Sequence, residues 1–278
     1  MVCTVSDVVA VMDEWYPPEW AASWDAVGLV VGEPSARVER VLCVVDVVPE
    51  TVAEAIDRGA SMIIAHHPLL FGGVTSVAGT SYKGRVVHDL IRAGIALQVA
   101  HTNADIAGDG VNDALAELFG LIAPVPVVPR PGRPEVGLGR VGMLPAPMTL
   151  AELTRLAARV LPATAWGVRT AGDPRKRIHR VAVLGGSGSD ELDAAAGAGA
   201  DAVITSDIKH HYASEHIAGG GPAIVEAAHW ATEWPWLPRL GAALHGRLGV
   251  ETIVSRLCTD AWTIHEPSTI VPSEGTPA

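Results

Sequence analysis

The apolar run Ile63-Ile64-Ala65 stops in two adjacent imidazoles, His66-His67, followed at once by Pro68 and shortly after by Gly72-Gly73. Proline forbids regular continuation, and the glycines loosen the chain beyond it. This is the pattern of a buried strand that delivers two nitrogen ligands to a sheet edge and ends there. In open α/β sheets that edge is where ligands bind. A bare His-His pair is more often a solvated turn or a satisfied core residue. Two facts favour a site here: the position between a strand and a loop, and two further clusters of ligand-type residues, each just past an apolar strand.

The surrounding order fixes the topology. Residues 4–16 carry Val5, Val8, Val9, Val11, Met12 and Trp15 at helical spacing, with Ser6 or Asp7 as cap, and Pro17-Pro18 ends that helix. A loop from Trp24-Asp25 runs into a short strand ending at Gly32. Val41 to Val48 is a strand interrupted only by Asp46, and Pro49-Glu50-Thr51 opens a helix to Arg58. The strand Met62–Ala65 follows, then a helix over 83–93, then the strand Ile95–Ala100, which ends in His101-Thr102-Asn103-Ala104-Asp105. Strand-helix-strand order implies parallel strands with right-handed crossovers. Parallel strands end on the same edge, so His66, His67, His101 and Asp105 should converge.

The second half repeats the theme. Residues 122–139 are rich in Pro and Gly and read as a lobe boundary. A helix over 149–160 follows, with Thr149 as cap. Arg175-Lys176-Arg177 with Arg180 reads first as a solvated turn and second as a phosphate contact. Gly185-Gly186-Ser187-Gly188 reads first as a tight turn and second as an anion site; it lacks the full dinucleotide or P-loop pattern. Asp201–Thr205 is a strand, Ser206-Asp207 caps a helix with Lys209, His210, His211 and His216, and Pro222–Val225 is the next strand. Beyond it come His229 and Glu233, then a helix and a late strand, Glu251–Val254. A faint internal repeat pairs the stretches before Ile64 and Ile204 and matches His101…Asp105 to His229…Glu233. The expected fold is α/β: two lobes with largely parallel sheets facing a shared metal-containing cleft. Residues 1–125 form the first lobe, 126–266 the second and 267–278 a loose polar tail.

A net charge of -11 argues against non-specific nucleic-acid binding and against an anionic membrane surface. No apolar run is long enough to span a bilayer, and the N-terminus lacks a signal-peptide pattern. Cys3, Cys43 and Cys258 are too scattered for a disulfide framework or a thiolate zinc site. The expected location is the cytoplasm.

His229 and Glu233 are four apart, which on a helix puts both on one face. Pooled with His66, His67 and Asp105 they make three imidazoles and two carboxylates, too many for one tetrahedral ion with an open position. They suit two divalent ions bridged by a carboxylate and a water, with hydroxide available near neutral pH. Mixed N/O ligation favours Zn, Mn, Fe, Co or Ni over Ca or Mg.

These motifs resemble the NIF-three-like family, also called GTP cyclohydrolase 1 type 2 homologues, over nearly the whole chain. The matching elements are Trp24-Asp25-x-x-Gly28-Leu29, His66-His67-Pro68, His101-Thr102-x-x-Asp105, Gly110-Val111-Asn112-Asp113, Asp207-Ile208-Lys209-x-His211 and His229-x-x-x-Glu233. The resemblance implies two α/β lobes, a dinuclear metal centre and a ring-shaped homohexamer with the sites facing an internal cavity. It implies that His67 and Asp105 hold one metal, His66 and His229 the other, and that Glu233 bridges them. Ala26, Asp109, Ser206 and Ala228 depart from the family pattern but touch none of these five. The chain lacks room for the middle domain of longer members.

His101 and His211 match family positions and are read either as general acid or base or as partners that orient a ligand. Trp230, Trp234 and Trp236 are read as packing lobes or subunits rather than stacking on a base. The implied activity is a metal-dependent hydrolase acting on a nucleotide-type substrate, with hydroxide attacking C8 of guanine and formate leaving. A phosphoester hydrolase acting on a nucleotide or other phosphorylated small molecule is the neighbouring reading. A non-catalytic metal-binding hexameric scaffold, or a metal-handling protein, is the reading from a different class.

Overall fold

The structure is a computed structural model that describes residues 2–267. The tail expected beyond Pro267 lies outside the described residues. In chain order the elements are α1 (Val5–Trp15), a 3-10 turn (Pro18–Trp20), β1 (Gly28–Val31), β2 (Arg40–Val44), α2 (Pro49–Asp57), β3 (Met62–Ala65), α3 (Tyr82–Ala93), β4 (Ala96–Val99), α4 (Thr102–Ile106) and α5 (Val111–Leu118). They continue through β5 (Ile122–Val125), β6 (Val128–Arg130), β7 (Arg133–Leu138), β8 (Arg140–Thr149), α6 (Leu150–Val160), β9 (Val168–Ala171), β10 (Arg177–Ser187) and α7 (Leu192–Gly197). Last come β11 (Ala202–Ser206), α8 (His210–Ala218), β12 (Ala223–Ala227), α9 (His229–Glu233), α10 (Trp236–Leu248) and β13 (Glu251–Val254).

The helices start where local chemistry satisfies their free amides. Thr4, rather than Ser6 or Asp7, caps α1, and Asp7 returns the bond to the Thr4 amide at 2.8 Å. Thr149 and Glu152 make the same reciprocal box at α6.

The first sheet has the order β1-β4-β3-β2-β13 and is parallel except for β1 against β4. Every residue of β3 and β4 is buried, as expected for strands covered on both faces. Register makes the strand ends level: Val44 pairs with Ala65, and Ala65 with Val99. Asp46, His66-His67 and His101 therefore leave one edge together.

The second sheet has the order β5-β8-β10-β11-β12-β9; β10, β11 and β12 run parallel, flanked by antiparallel neighbours. The Pro- and Gly-rich stretch 122–139 contains strands: β5 lies on the sheet's edge and β6 pairs with β7 in a separate ribbon. Edges are where proline's missing N–H does no harm. Thr205 pairs with Glu226, so Asp207 and His229 also emerge from neighbouring parallel strand ends.

The chain then returns to the first half. β13 adds to β2 in parallel, and α10 packs in the same core as α1, with Trp236 fully buried. Trp230 and Ala231 of α9 join that core too, so the short helix carrying His229 and Glu233 is anchored against the first sheet.

Candidate metal centre

The structure brings His66, His67, Asp105, His229 and Glu233 together. Glu233 is the hub: His229 Nε2 lies 2.9 Å and His66 Nε2 3.4 Å from its Oε1, and His67 Nε2 lies 3.1 Å from its Oε2. His66 Nε2 is 3.7 Å from Asp105 Oδ1, and His67 Nε2 is 3.2 Å from His229 Nε2. For bonds of about 2.0–2.2 Å to one ion, neighbouring donors sit roughly 3–3.5 Å apart; the separations here run from 2.9 to 3.7 Å, close to that spacing. His66 and His229 thus face one oxygen of Glu233, and His67 faces the other.

Each imidazole is held by its other nitrogen. His66 Nδ1 lies 3.0 Å from the Ala100 carbonyl oxygen, His67 Nδ1 2.7 Å from Asp46 Oδ1, and His229 Nδ1 2.6 Å from Asp207 Oδ2. A carbonyl or carboxylate only accepts, so every Nδ1 carries the proton and, in the neutral ring, every Nε2 presents a lone pair. Two such lone pairs face each other between His67 and His229, which either a proton or a metal ion relieves. His66 Nε2, Asp105 Oδ1 and Glu233 Oε2 are also buried without a hydrogen-bond partner among the described residues. Orphaned buried polar atoms are rare in native proteins and ask for an explanation. Divalent cations fit: they would satisfy all three atoms and both facing nitrogens.

The electrostatics agree. Burial opposes charge on His67, but Glu233 and Asp46 outweigh it and hold its pKa up at about 10. Burial likewise opposes charge on His229, while Glu233 and Asp207 lift it to about 11. Burial, helped by the charge of Glu233, pushes Asp105 up to about 7. Burial also works against ionised Glu233, yet His67, His229 and His66 hold it well below the ordinary carboxylate range. The cluster draws in positive charge, as protons or as metal.

Backbone packing keeps the hub in place. A Cβ on Gly186, whose φ is +69°, would lie 2.5 Å from Glu233 Oε1 and 3.1 Å from His229 Nε2. The glycine-rich turn is therefore the close-packed back wall of the cluster. Thr232 ties α9 to this wall: Gly186 N donates to its hydroxyl at 2.9 Å. Asn112 crosses between the halves, donating from Nδ2 to the Asp105 carbonyl and accepting from Gly185 N, both at 2.9 Å. At Gly110 a Cβ would collide with the Ala104 carbonyl oxygen, so that glycine lets α5 start directly behind α4.

His101 also reaches the cluster; one ring nitrogen each of His66, His67 and His101 lie within 4.8 Å of one another. Its Nδ1 is 2.9 Å from Asp25 Oδ1, and Asp25 also accepts from Thr102. Burial would raise the Asp25 pKa, but these bonds outweigh it and hold the carboxyl well below its usual range. His211 is not brought to the cluster. It sits on the exposed α8, its ring 5.3 Å from that of His210, and lines a separate groove with Ser189 and Glu215. Trp236 backs His66 at a ring distance of 5.6 Å and donates to the Tyr16 hydroxyl at 3.1 Å. Asp25 and Asp207 stand in the motifs quoted above and Asp46 interrupts a strand, but spacing alone gives none of the three a place beside the histidines. Asp46, the one polar break in the apolar run 41–48, carried a legible signal.

Fold and site together define a two-sheet α/β protein with a histidine-rich cluster centred on one carboxylate. The Duf34/NIF3 (NGG1p interacting factor 3) family matches residues 3–261, and the chain belongs to that family. A Streptomyces coelicolor protein named GTP cyclohydrolase 1 type 2 homolog is 51% identical over 272 residues, covering 95% of each chain. Among solved structures, a Bacillus cereus protein related to NIF3 has a TM-score of 0.88 at 24% identity, covering 95% of this chain and all of that one, and shows the fold. A Staphylococcus aureus hypothetical protein has a TM-score of 0.88 at 28% identity with the same coverage. No helix among the described residues is long and apolar enough to cross a membrane.

Proposed function

We propose that the chain is a dinuclear metal-dependent hydrolase acting on a nucleotide-type substrate. The cleft lies between a first lobe, 1–125, joined by the returning strand β13 (Glu251–Val254), and a second lobe formed by the rest of 126–266. In this reading His67 and Asp105 would hold one divalent ion, His66 and His229 would hold the other, and Glu233 would serve both, because His66 and His229 face one of its oxygens and His67 the other. The observation that carries it is the convergence of three Nε2 lone pairs on the two oxygens of one buried glutamate, with Asp105 alongside. The ions, when bound, supply Lewis acidity and a water of lowered pKa. The donor set accepts Zn, Mn, Fe, Co or Ni.

The chain's own residues do the rest. Asp46 and Asp207 fix ring orientation and raise the basicity of His67 and His229. Asp25 holds the Nδ1 proton of His101, leaving Nε2 to take up or deliver a proton at the cluster. The name of the Streptomyces coelicolor relative supports guanine-nucleotide ring opening as the reaction class. In the same reading the chain works in the cytoplasm as a homohexameric ring, which sedimentation of the purified protein tests.

The deciding experiment loads the chain with each metal, measures ions per chain, and screens nucleotides and phosphoesters against His66→Ala and Glu233→Ala. Turnover lost in both variants supports the hydrolase. Two ions per chain with no turnover of any substrate supports a metal-handling scaffold and overturns it.

A further inference from the structure

A cavity of about 510 Å³ opens on the outer side of the cluster, lined by His67 and His229 and also by Trp166 and Trp262. Trp262 is 63% exposed and lies just beyond the family match, which ends at residue 261. Leaving an indole in water forgoes the burial that usually places it. This one is nonetheless held in position. Its ring packs on Trp166 at 5.8 Å, and Trp166 in turn carries the Arg169 guanidinium at 4.6 Å, which is bonded to Glu226 at 2.7 Å. The segment leading to Trp262 is pinned by Thr259, whose hydroxyl donates to Asp46.

Most charges on the cavity wall are already paired: Asp46 with His67, Asp207 with His229, Glu226 with Arg169. Two are left. Lys209 is exposed and has no carboxylate within salt-bridge distance among the described residues. Asp260 lines the cavity and has no cation within salt-bridge distance among the described residues. The wall thus offers a flat apolar face and, among the described residues, a cation and a carboxylate without ionic partners beside the cluster.

Resting on the metal-centre reading, we propose that this cavity is the recognition subsite for a ligand joining a flat heteroaromatic ring, with N–H donors on its edge, to an anionic group. Trp262 stacks on the ring, Asp260 accepts from its edge, and Lys209 meets the anion. Stacking tolerates any ring; the carboxylate does not. It favours an edge with adjacent N–H donors, as in guanine, over one that alternates donor and lone pair, as in adenine.

Calorimetric titration of the full chain, zinc-loaded and metal-free, with GMP, AMP and inorganic phosphate tests this. GMP should bind more tightly than AMP or phosphate. Trp262→Ala should weaken GMP about tenfold or more while changing phosphate less than twofold, and Trp262→Phe should restore most of it. Asp260→Asn should abolish the GMP-over-AMP preference, and Lys209→Ala should weaken all three probes. Unchanged GMP affinity in Trp262→Ala, an equal loss for phosphate, or a Trp262→Ala effect confined to the sedimentation coefficient overturns the subsite. Zinc content separates the two readings. A chain that takes up no zinc but loses GMP with Trp262→Ala overturns the hydrolase and keeps the subsite; two zincs with no Trp262 effect does the reverse.

Discussion

The two sheets build the same device by the same means and finish it differently. In each, neighbouring parallel strands end level, and one end supplies an aspartate while the next supplies a histidine: Asp46 with His67 at 2.7 Å, Asp207 with His229 at 2.6 Å. The first sheet then adds a second imidazole, His66, whose partner is only a backbone carbonyl and which is fully buried. The second adds Glu233, four residues past His229, whose side chain is 3% exposed. His67 and His229 are partly open to the cavity at 24% and 32%. The buried half is suited to holding an ion; the open half is suited to meeting a ligand.

The largest effect should come from the residue both halves share. Glu233→Ala should drop metal content from two ions per chain to none, read by elemental analysis, with turnover reduced about 10³-fold or more. Retention of one ion would show that the halves bind independently. Next, Asp46→Asn and Asp207→Asn should each lower metal affinity about 10–100-fold in competition with a chelator, because each removes the acceptor that orients a ligand and raises its basicity. Unequal losses would rank the two halves.

The pH dependence should follow the open half. His67 and His229 sit at about 10 and about 11, above the ordinary 6.5. Both raised shifts stabilise the metal-free chain fully below pH 6.5, and this is lost as pH rises through 10 and 11. Metal must displace these protons. Uptake at pH 7 should therefore release protons, and apparent affinity should rise about 10–100-fold per pH unit until the rings are neutral. Calorimetry in two buffers of different ionisation enthalpy reads the proton count. The smallest effect is structural: Gly186→Ala, strained by φ +69° and crowded by Glu233, should cost about 1–3 kcal/mol, seen as a lower Tm and a weaker hub.

Much of this was legible in the chain itself. Strand ends are where parallel sheets offer residues to a cleft, so His66, His67, Asp105, His229 and Glu233 followed from order and spacing. What eluded spacing were residues acting across elements. Asp25 reaches His101 from 76 positions away, and Asn112 braces Asp105 against Gly185. Short polar residues in loops look alike until the fold brings them together. The turn at Gly185–Gly188 reads first as a tight turn, and its second reading, an anion site, arises because a glycine that makes room for a side chain and one that makes room for a phosphate share a sequence. Likewise β13 read as a late strand of the second half, since nothing local says which sheet edge is free.

Anomalous diffraction from crystals of the metal-loaded chain addresses the centre most directly. Two peaks about 3.5–4 Å apart on either side of the Glu233 carboxylate, one within bonding distance of His67 and Asp105 and the other of His66 and His229, are expected. One peak, none, or an Asp105 carboxylate turned away from both would contradict a shared pair of ions.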